Sequence, residues 1–304
     1  MVTLVTGATG FLGKYLISHL RKIDPNEIIY GCALNAETSD NLKIESINLT
    51  DAEAVTVFIQ KIKPTRVYHL AGIARVTKEI PFESYFLQNT IATQILLKAL
   101  VSLNSPVDFF LTSSVHVYGN QTDIVTEKSE LKPNGVYGFT KYLAEETLKT
   151  FIHQYPNLRG VVGRLYTCIG PNQALGFVAS DICKKIKELQ ANAANILEVG
   201  PIDSFRRFTD ARDMVTIFPL LLKASLDSRF EVFNIASPNN IQIGEMIQTL
   251  LDLAKVSATI VSTPSENNTF KGLNVDTSKM AEIIPSSSFR PFVSTLQDIL
   301  DSTV

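Results

Sequence analysis

The chain reads as an α/β protein, a doubly wound parallel sheet carrying a smaller C-terminal α/β lobe, on three observations. A glycine-punctuated turn joins an apolar run to an amphipathic helical pattern at the N-terminus. Strand-like apolar runs then alternate with helical patterns through the first half, the mark of a parallel sheet wrapped by helices. After Gly170-Pro171 the alternation weakens into a mixed segment, as expected of a lobe built onto such a sheet.

The first element is residues 2–6, VTLVT, followed by Gly7, Ala8, Thr9, Gly10, Phe11, Leu12 and Gly13. Gly7 allows a tight reversal, Gly10 lets the backbone approach a pyrophosphate, and Gly13 lets helix 11–23 sit close to the strand. The N-terminus of that helix supplies N–H groups and a positive partial charge to a phosphate. A strand before the glycines and a helix after them make this a Rossmann-type dinucleotide turn, where isolated glycines would be only corners. Further strands are expected at 28–34, 44–48, 66–70, 109–113 and 160–165, with helices at 52–62, 85–104 and 137–154. Pro64, Pro106 and Pro156 each punctuate a helix end. Beyond them come a helix at 176–192, a turn at Gly200-Pro201, a charged mixed segment, a strand at 232–235, a helix at 243–254 and a last short helix within 285–304. The expected division is a Rossmann domain of residues 1–166 with about 209–237, and a substrate lobe of 167–208 with about 238–304.

With 304 residues the chain can bury a large core without disulfide or metal staples. Its 28 Lys and Arg nearly balance 30 Asp and Glu, so no basic field draws it to nucleic acid or to a membrane surface. Cys32, Cys168 and Cys183 are few and far apart, which suits a reducing compartment and buried apolar roles. No signal-like segment or bilayer-length apolar run occurs, so a soluble cytoplasmic protein is expected. His19, His69, His116 and His153 show no ligand spacing, and no metal is expected.

Ligands of open α/β sheets bind beyond the carboxyl ends of the strands. There the chain places Leu70 with Ala71-Gly72, then Ser113-Ser114, and then Tyr137 and Lys141 at i and i+4 of one helix. Tyrosine, with an ordinary pKa near ~10, is a poor base until a nearby ammonium favours its phenolate. Lys141 is positioned on the same face to be that ammonium. Ser114 would hold a carbonyl or hydroxyl oxygen and Tyr137 would exchange its proton. The alternative is an amphipathic helix with a half-buried tyrosine and a solvated lysine.

The ordered motifs TGATGFLG (6–13), Asn48-Leu49-Thr50-Asp51, HLAG (69–72), Asn89 to Thr93, SSVHVYG (113–119), YGFTK (137–141) and RLYTCIGPNQ (164–173) resemble the extended short-chain dehydrogenase/reductase family. The resemblance is to its nucleotide-sugar-modifying branch, the NAD-dependent epimerases and dehydratases, and it runs over nearly the whole chain. It implies Ser114, Tyr137 and Lys141 as the catalytic set. It places a nicotinamide dinucleotide against Gly7, Thr9, Gly10, Phe11, Leu12, Gly13, Asn48, Leu49, Leu70, Ala71, Gly72, Asn89 and Leu165, together with Tyr137 and Lys141. Residues 170–186 and 205–215 look like segments of reductases of nucleotide-linked 4-keto-6-deoxyhexoses, GDP-4-keto-6-deoxymannose reductases being the nearest pattern. By that likeness Ser113, Thr167, Phe177 and Val178 frame the substrate, and Arg206 meets its diphosphate with a bidentate guanidinium. The competing role for Arg206, Arg207 and Arg212 is a surface ion-pair set with Asp203, Asp210 and Asp213.

The chain departs from the family pattern at three places. Dehydratases of the branch carry a carboxylate just after the catalytic hydroxyl, where this chain has Val115-His116, so dehydration is disfavoured and a 4-ketoreductase or a 4-epimerase with tightly bound NAD remains. His116 is a proton donor or a structural residue. Thr167 stands where the family usually has Asn. The second strand ends Ala33-Leu34-Asn35, with Glu37 beyond, and lacks the carboxylate that holds an NAD ribose. Lys14, Arg21 and Lys22 offer charge for a 2′-phosphate, which favours NADP over NAD. A dinucleotide-sensing regulator without chemistry is the reading from another class, opposed by the retained Tyr137 and Lys141. Helices 85–104 and 137–154 resemble those that pair two subunits of the family, and a homodimer is expected.

Overall fold

The computed structural model describes residues 1–35, 43–74, 77, 79–192, 195–224, 229–263 and 272–303. Glu37 lies outside the described residues. In chain order the elements are β1 (Val2–Thr6), α1 (Phe11–Ile23), β2 (Ile28–Ala33), β3 (Lys43–Ser46), α2 (Ala52–Ile62), β4 (Arg66–His69) and α3 (Phe82–Tyr85). A π-helical turn (Phe86–Ile91) leads into α4 (Ala92–Val101), then β5 (Val107–Ser114), a 3₁₀ turn (Val115–Tyr118), α5 (Val136–Gln154) and β6 (Leu158–Leu165). The second half holds β7 (Cys168–Ile169), α6 (Val178–Asn192), β8 (Ile196–Val199), β9 (Phe205–Arg206), β10 (Thr209–Asp210), α7 (Ala211–Lys223) and β11 (Phe230–Ile235). It closes with β12 (Ile241–Gln242), α8 (Ile243–Ala254), β13 (Thr259–Ser262), α9 (Ser278–Ala281) and α10 (Phe292–Ser302).

Seven strands form one sheet in the order β11-β6-β5-β4-β1-β2-β3, and every neighbouring pair is parallel. The order reverses between β1 and β4, which opens the crevice at their carboxyl ends. Strands buried on both faces read as continuous apolar runs, as in Phe109-Phe110-Leu111 of β5. One face packs under α2, α4 and α5 around Val55, Leu96, Phe109 and Leu148. The other packs under α1 and α7 around Leu16, Phe110, Phe218 and Ile235. A separate core, built by α6, β8, α8 and α10 around Ile186, Ile247 and Leu296, forms the C-terminal lobe.

The α/β class and the parallel sheet agree with expectation, but a long helix, α7 and the short strands differ. The helix expected over 85–104 is broken by the π turn around Asn89, which starts at α3 and ends at Val101. Helix α7 was hidden by its charges at Arg212 and Asp213 and by Pro219 inside it, while burial of Met214, Phe218 and Leu221 against α1 stabilises it. The short strands β7 to β10, β12 and β13 carry too few residues for a period to show. Among the described residues no helix is long and apolar enough to cross a membrane.

Candidate active site

A cavity of about 590 Å³ lies at the reversal point of the sheet, between the sheet and the C-terminal lobe. One end is the glycine turn. Gly7 sits at φ +65°, and a Cβ there would lie 2.9 Å from the Ala71 nitrogen, so only glycine fits the turn. A Cβ on Gly13 would come within 2.2 Å of the Gly7 carbonyl oxygen. Gly10 caps α1 with no side-chain hydrogen bond, and the first turn holds no acidic residue. Phe11, Leu12 and Gly13 therefore bring their helix-start N–H groups to the cavity wall. This is a cradle that fits a dinucleotide's pyrophosphate.

At the other end β5 delivers Ser114, and α5 delivers Tyr137 and Lys141 one turn apart. Burial pushes the Tyr137 phenol up, and the nearby Ser114 hydroxyl pulls the other way. The Ser114 hydroxyl lies 2.9 Å from His116 Nδ1, and the His116 backbone N–H reaches back to it at 3.3 Å. Lys141 Nζ donates to the Thr112 carbonyl at 3.0 Å. Burial lowers its pKa to about 8, against the opposing pull of Glu145. The Lys141 ammonium, expected to ease Tyr137, has one of its donors on strand β5.

The remaining expected residues divide by where their polar atoms go. Leu70, Gly72, Leu165, Thr167, Phe177 and Arg206 line the cavity. Ser113 lines it too, but its hydroxyl donates to Glu145, so it presents backbone and not a side-chain donor. Thr9, Asn48, Leu49, Ala71, Asn89 and Val178 are not on the wall. Asn48 accepts from the Thr50 N–H and hydroxyl, and Leu49 is buried in the core. The Ala71 N–H donates to the Thr6 hydroxyl. Val178 packs in the lobe core. Asn89 spends its amide on both backbone groups of Ile73 and on the Thr140 hydroxyl, bracing Gly72 against α5. Gly72 sits at φ +146°, and a Cβ there would lie 2.5 Å from Asn89 Oδ1, so the position takes glycine on both counts.

The three arginines separate. Arg212 takes the ion-pair role, bound to Asp210 at 2.6 Å and Asp298 at 2.7 Å, while Asp213 pairs with Arg290. Arg206 donates to its neighbouring Phe205 carbonyl and lines the cavity; no carboxylate among the described residues pairs with it. Arg21 and Lys22 occupy the last turn of α1, roughly 15 Å along the axis from the glycine turn at 1.5 Å per residue. They complement the helix dipole there and are out of reach of a ribose at the end of β2.

Two groups escaped the sequence reading. Glu145 continues the 137, 141 spacing by one more turn, so its position on the same face was legible. Its partner Arg164, at 2.7 Å, comes from β6, where it is the register neighbour of Ser113. His69 is buried between the Thr6 and Thr93 hydroxyls at 2.7 and 2.9 Å, and burial lowers its pKa to about 3. Thr93 gives its proton to the Asn89 carbonyl, so it accepts from Nε2–H, and Nδ1 is the acceptor for Thr6.

A doubly wound parallel sheet with a glycine cradle and a Ser/Tyr/Lys set at its reversal point defines a nicotinamide-dinucleotide enzyme. The model of the NAD dependent epimerase/dehydratase family matches residues 3–236. The chain belongs to that family of nucleotide-sugar enzymes. It is 30% identical over 266 residues to a GDP-6-deoxy-D-mannose reductase of Pseudomonas aeruginosa, covering 86% of this chain and 83% of that protein. A GDP-6-deoxy-D-talose 4-dehydrogenase of Aggregatibacter actinomycetemcomitans is 28% identical over 257 residues, 84% of this chain and 80% of its own. A UDP-glucuronic acid 4-epimerase of Bacillus cereus, solved with UDP-glucuronic acid and NAD, has a TM-score of 0.86 at 24% identity. That match covers 100% of this chain and 99% of the other, and supports the fold.

Proposed function

We propose that the protein is a nicotinamide-dependent reductase of the C4 ketone of a nucleotide-diphospho-4-keto-6-deoxyhexose, with GDP as the nucleotide. The observation that carries this is the pair of relatives at 28 and 30% identity, both named for GDP-6-deoxyhexoses, on a chain that holds Ser114, Tyr137 and Lys141 on one cavity wall. A bound reduced nicotinamide supplies hydride to C4. Tyr137 gives its proton to the oxygen on which charge develops, and Ser114 orients that oxygen as in an oxyanion site. Lys141 spends one of its three donors on Thr112 and keeps the others for a ribose hydroxyl. Arg206 has its guanidinium at the cavity for the substrate diphosphate, and Thr167 and Phe177 frame the sugar. No carboxylate stands at Val115-His116 to drive dehydration.

NADP is the proposed dinucleotide ahead of NAD, since Ala33-Leu34-Asn35 offers no carboxylate to a ribose 2′-hydroxyl. A homodimer is proposed through α3, the π turn and α5, whose Phe82, Leu87 and Phe139 are exposed at 50, 46 and 39%. Light scattering tests it: a monomer at micromolar concentration rejects the dimer.

The test of function is the loss of reduced-nicotinamide absorbance when the protein meets NADPH or NADH with GDP-, dTDP- or CDP-linked 4-keto-6-deoxyhexoses. Oxidation with the GDP sugar alone supports the proposal. No oxidation with any of them rejects it and turns attention to the epimerase chemistry of the same residues, which purified protein carrying stoichiometric NAD would mark.

A further inference from the structure

The wall that holds Ser114 and Tyr137 also carries a nitrogen base. His116 is an exposed residue, and it lines the cavity beside them. Its Nδ1 lies 2.9 Å from the Ser114 hydroxyl oxygen. Its ring stands edge to face with the Tyr137 phenol, with centroids 5.5 Å apart at 69°. Among the described residues no group bonds Nε2.

The backbone fixes the ring in that place. Ser114 caps the 3₁₀ turn Val115–Tyr118 by accepting from the His116 N–H at 3.3 Å, and the His116 carbonyl accepts from the Gly119 N–H at 3.2 Å. Helix α5 packs directly on that carbonyl, since a Cβ on Gly138 would lie 2.4 Å from its oxygen. The tautomer follows from the partner. When Ser114 gives its single O–H to a ketone oxygen, it can only accept from the ring, so Nδ1 carries the hydrogen and Nε2 is the bare nitrogen.

We infer that His116 gives the site a second activity, enolisation of the bound ketone: Nε2 removes a proton from a carbon flanking C4 while Tyr137 and Ser114 hold the enolate oxygen. The C–H electron pair becomes a carbon–carbon double bond, the carbonyl π pair moves to the C4 oxygen, and the proton rests on Nε2. The imidazolium exchanges that proton with water in the cavity and returns one to the same carbon as the ketone re-forms. No hydride moves and no dinucleotide is consumed. At C5 of a 6-deoxy sugar no leaving group stands on C6, so a proton lost there is simply replaced.

The hydroxyl pair serves an enolate as it serves an alkoxide, because in both the charge develops on the same oxygen. The protonation states agree with this chemistry. Burial keeps the Tyr137 phenol protonated, as a donor to that oxygen, while burial and the facing Arg206 of β9 keep the His116 ring neutral, as an acceptor. A base with a pKa below neutrality suffices beside a carbonyl when neutral donors receive the charge.

The inference rests on the 4-keto sugar reading, so the test follows exchange apart from reduction. The GDP-4-keto-6-deoxyhexose is held in heavy water with the protein and an oxidised dinucleotide, which fills the cradle without offering hydride. Proton NMR then follows the C3 and C5 hydrogens, exchange at C5 collapsing the C6 methyl doublet. Exchange at either carbon above the protein-free rate is expected. His116→Gln can hydrogen-bond Ser114 but takes no proton, and it should lose about 100-fold or more in exchange rate, the usual worth of a positioned base. Its fold is kept, since the turn is capped through the backbone N–H that any residue but proline supplies. Exchange at the protein-free rate in the wild type, or a loss under about 10-fold in His116→Gln, overturns the inference. Reduction without exchange overturns it and leaves the proposed function standing; exchange without reduction supports it and removes the reductase reading.

Discussion

The Arg164 guanidinium lies 2.7 Å from the Glu145 carboxylate, with both side chains sealed from solvent behind the catalytic face of α5. Ser113 donates to the same carboxylate, and the Tyr118 hydroxyl and Glu127 carbonyl accept from Arg164. A pair so enclosed holds β5, β6 and α5 in one register, and it is costly to halve. Glu145→Gln or Arg164→Met is expected to cost ~3–5 kcal/mol, because the surviving partner loses its compensation. Denaturant unfolding should show the double change to apolar residues costing less than either single one.

Lys141 carries a pH signature. Its folded pKa of about 8 lies below the ordinary lysine value, so its charge is present below pH 8 and lost above it. Turnover that depends on the ammonium should fall as pH rises through about 8, and Lys141→Met should lack that limb. Stability moves oppositely. Between pH 8 and ~10.4 the unfolded chain binds the proton that the folded one has released, so stability rises across that window. Thermal melts from pH 7 to 10 of wild type against Lys141→Met would expose the difference.

Gly13 and Gly10 should fail in different ways. Gly13→Ala puts a Cβ 2.2 Å from the Gly7 carbonyl and should destabilise by ~1–3 kcal/mol or more through overpacking. Gly10→Ala meets only the Gly7 oxygen, at 3.0 Å, and should keep most of the melting temperature while losing dinucleotide affinity. Calorimetric titration beside a melt separates the two.

Tyr137→Phe removes the proton donor and leaves the cradle intact. A loss of roughly 10²–10⁴-fold in kcat is expected, the usual worth of a positioned acid, with dinucleotide affinity little changed. Turnover near wild type would remove Tyr137 from the mechanism.

Arg206→Ala should raise KM for the nucleotide sugar about 10-fold or more, the worth of a charge-assisted contact, with KM for the dinucleotide unchanged. Arg212→Ala, bound to Asp210 and Asp298, should instead act on stability.

Local order was written plainly in the chain. The glycine spacing after β1, the alternation of runs and the i, i+4 placement of Tyr137 and Lys141 each depend on residues a few positions apart, and the fold class followed from them. Periodicity states which face a side chain occupies. It does not state what waits there. Asn89 lies on the expected helix, yet its amide is consumed by Ile73 and Thr140, partners 16 and 51 positions away. The same holds for Lys141, claimed by Thr112 of β5, and for Ser113, claimed by Glu145.

The sequence by itself therefore determined the α/β class, the glycine turn after β1 and the shared helix face of Tyr137 and Lys141, because short-range sterics and burial periodicity act within single elements. Tertiary structure alone decided that Lys141 donates to Thr112 of β5, that Arg206 opens to the cavity while Arg212 is spent on carboxylates, and that His116 stands beside Ser114. The reason is competition: a buried polar atom must find a partner, and the partner it finds is whichever group packing brings from elsewhere in the chain.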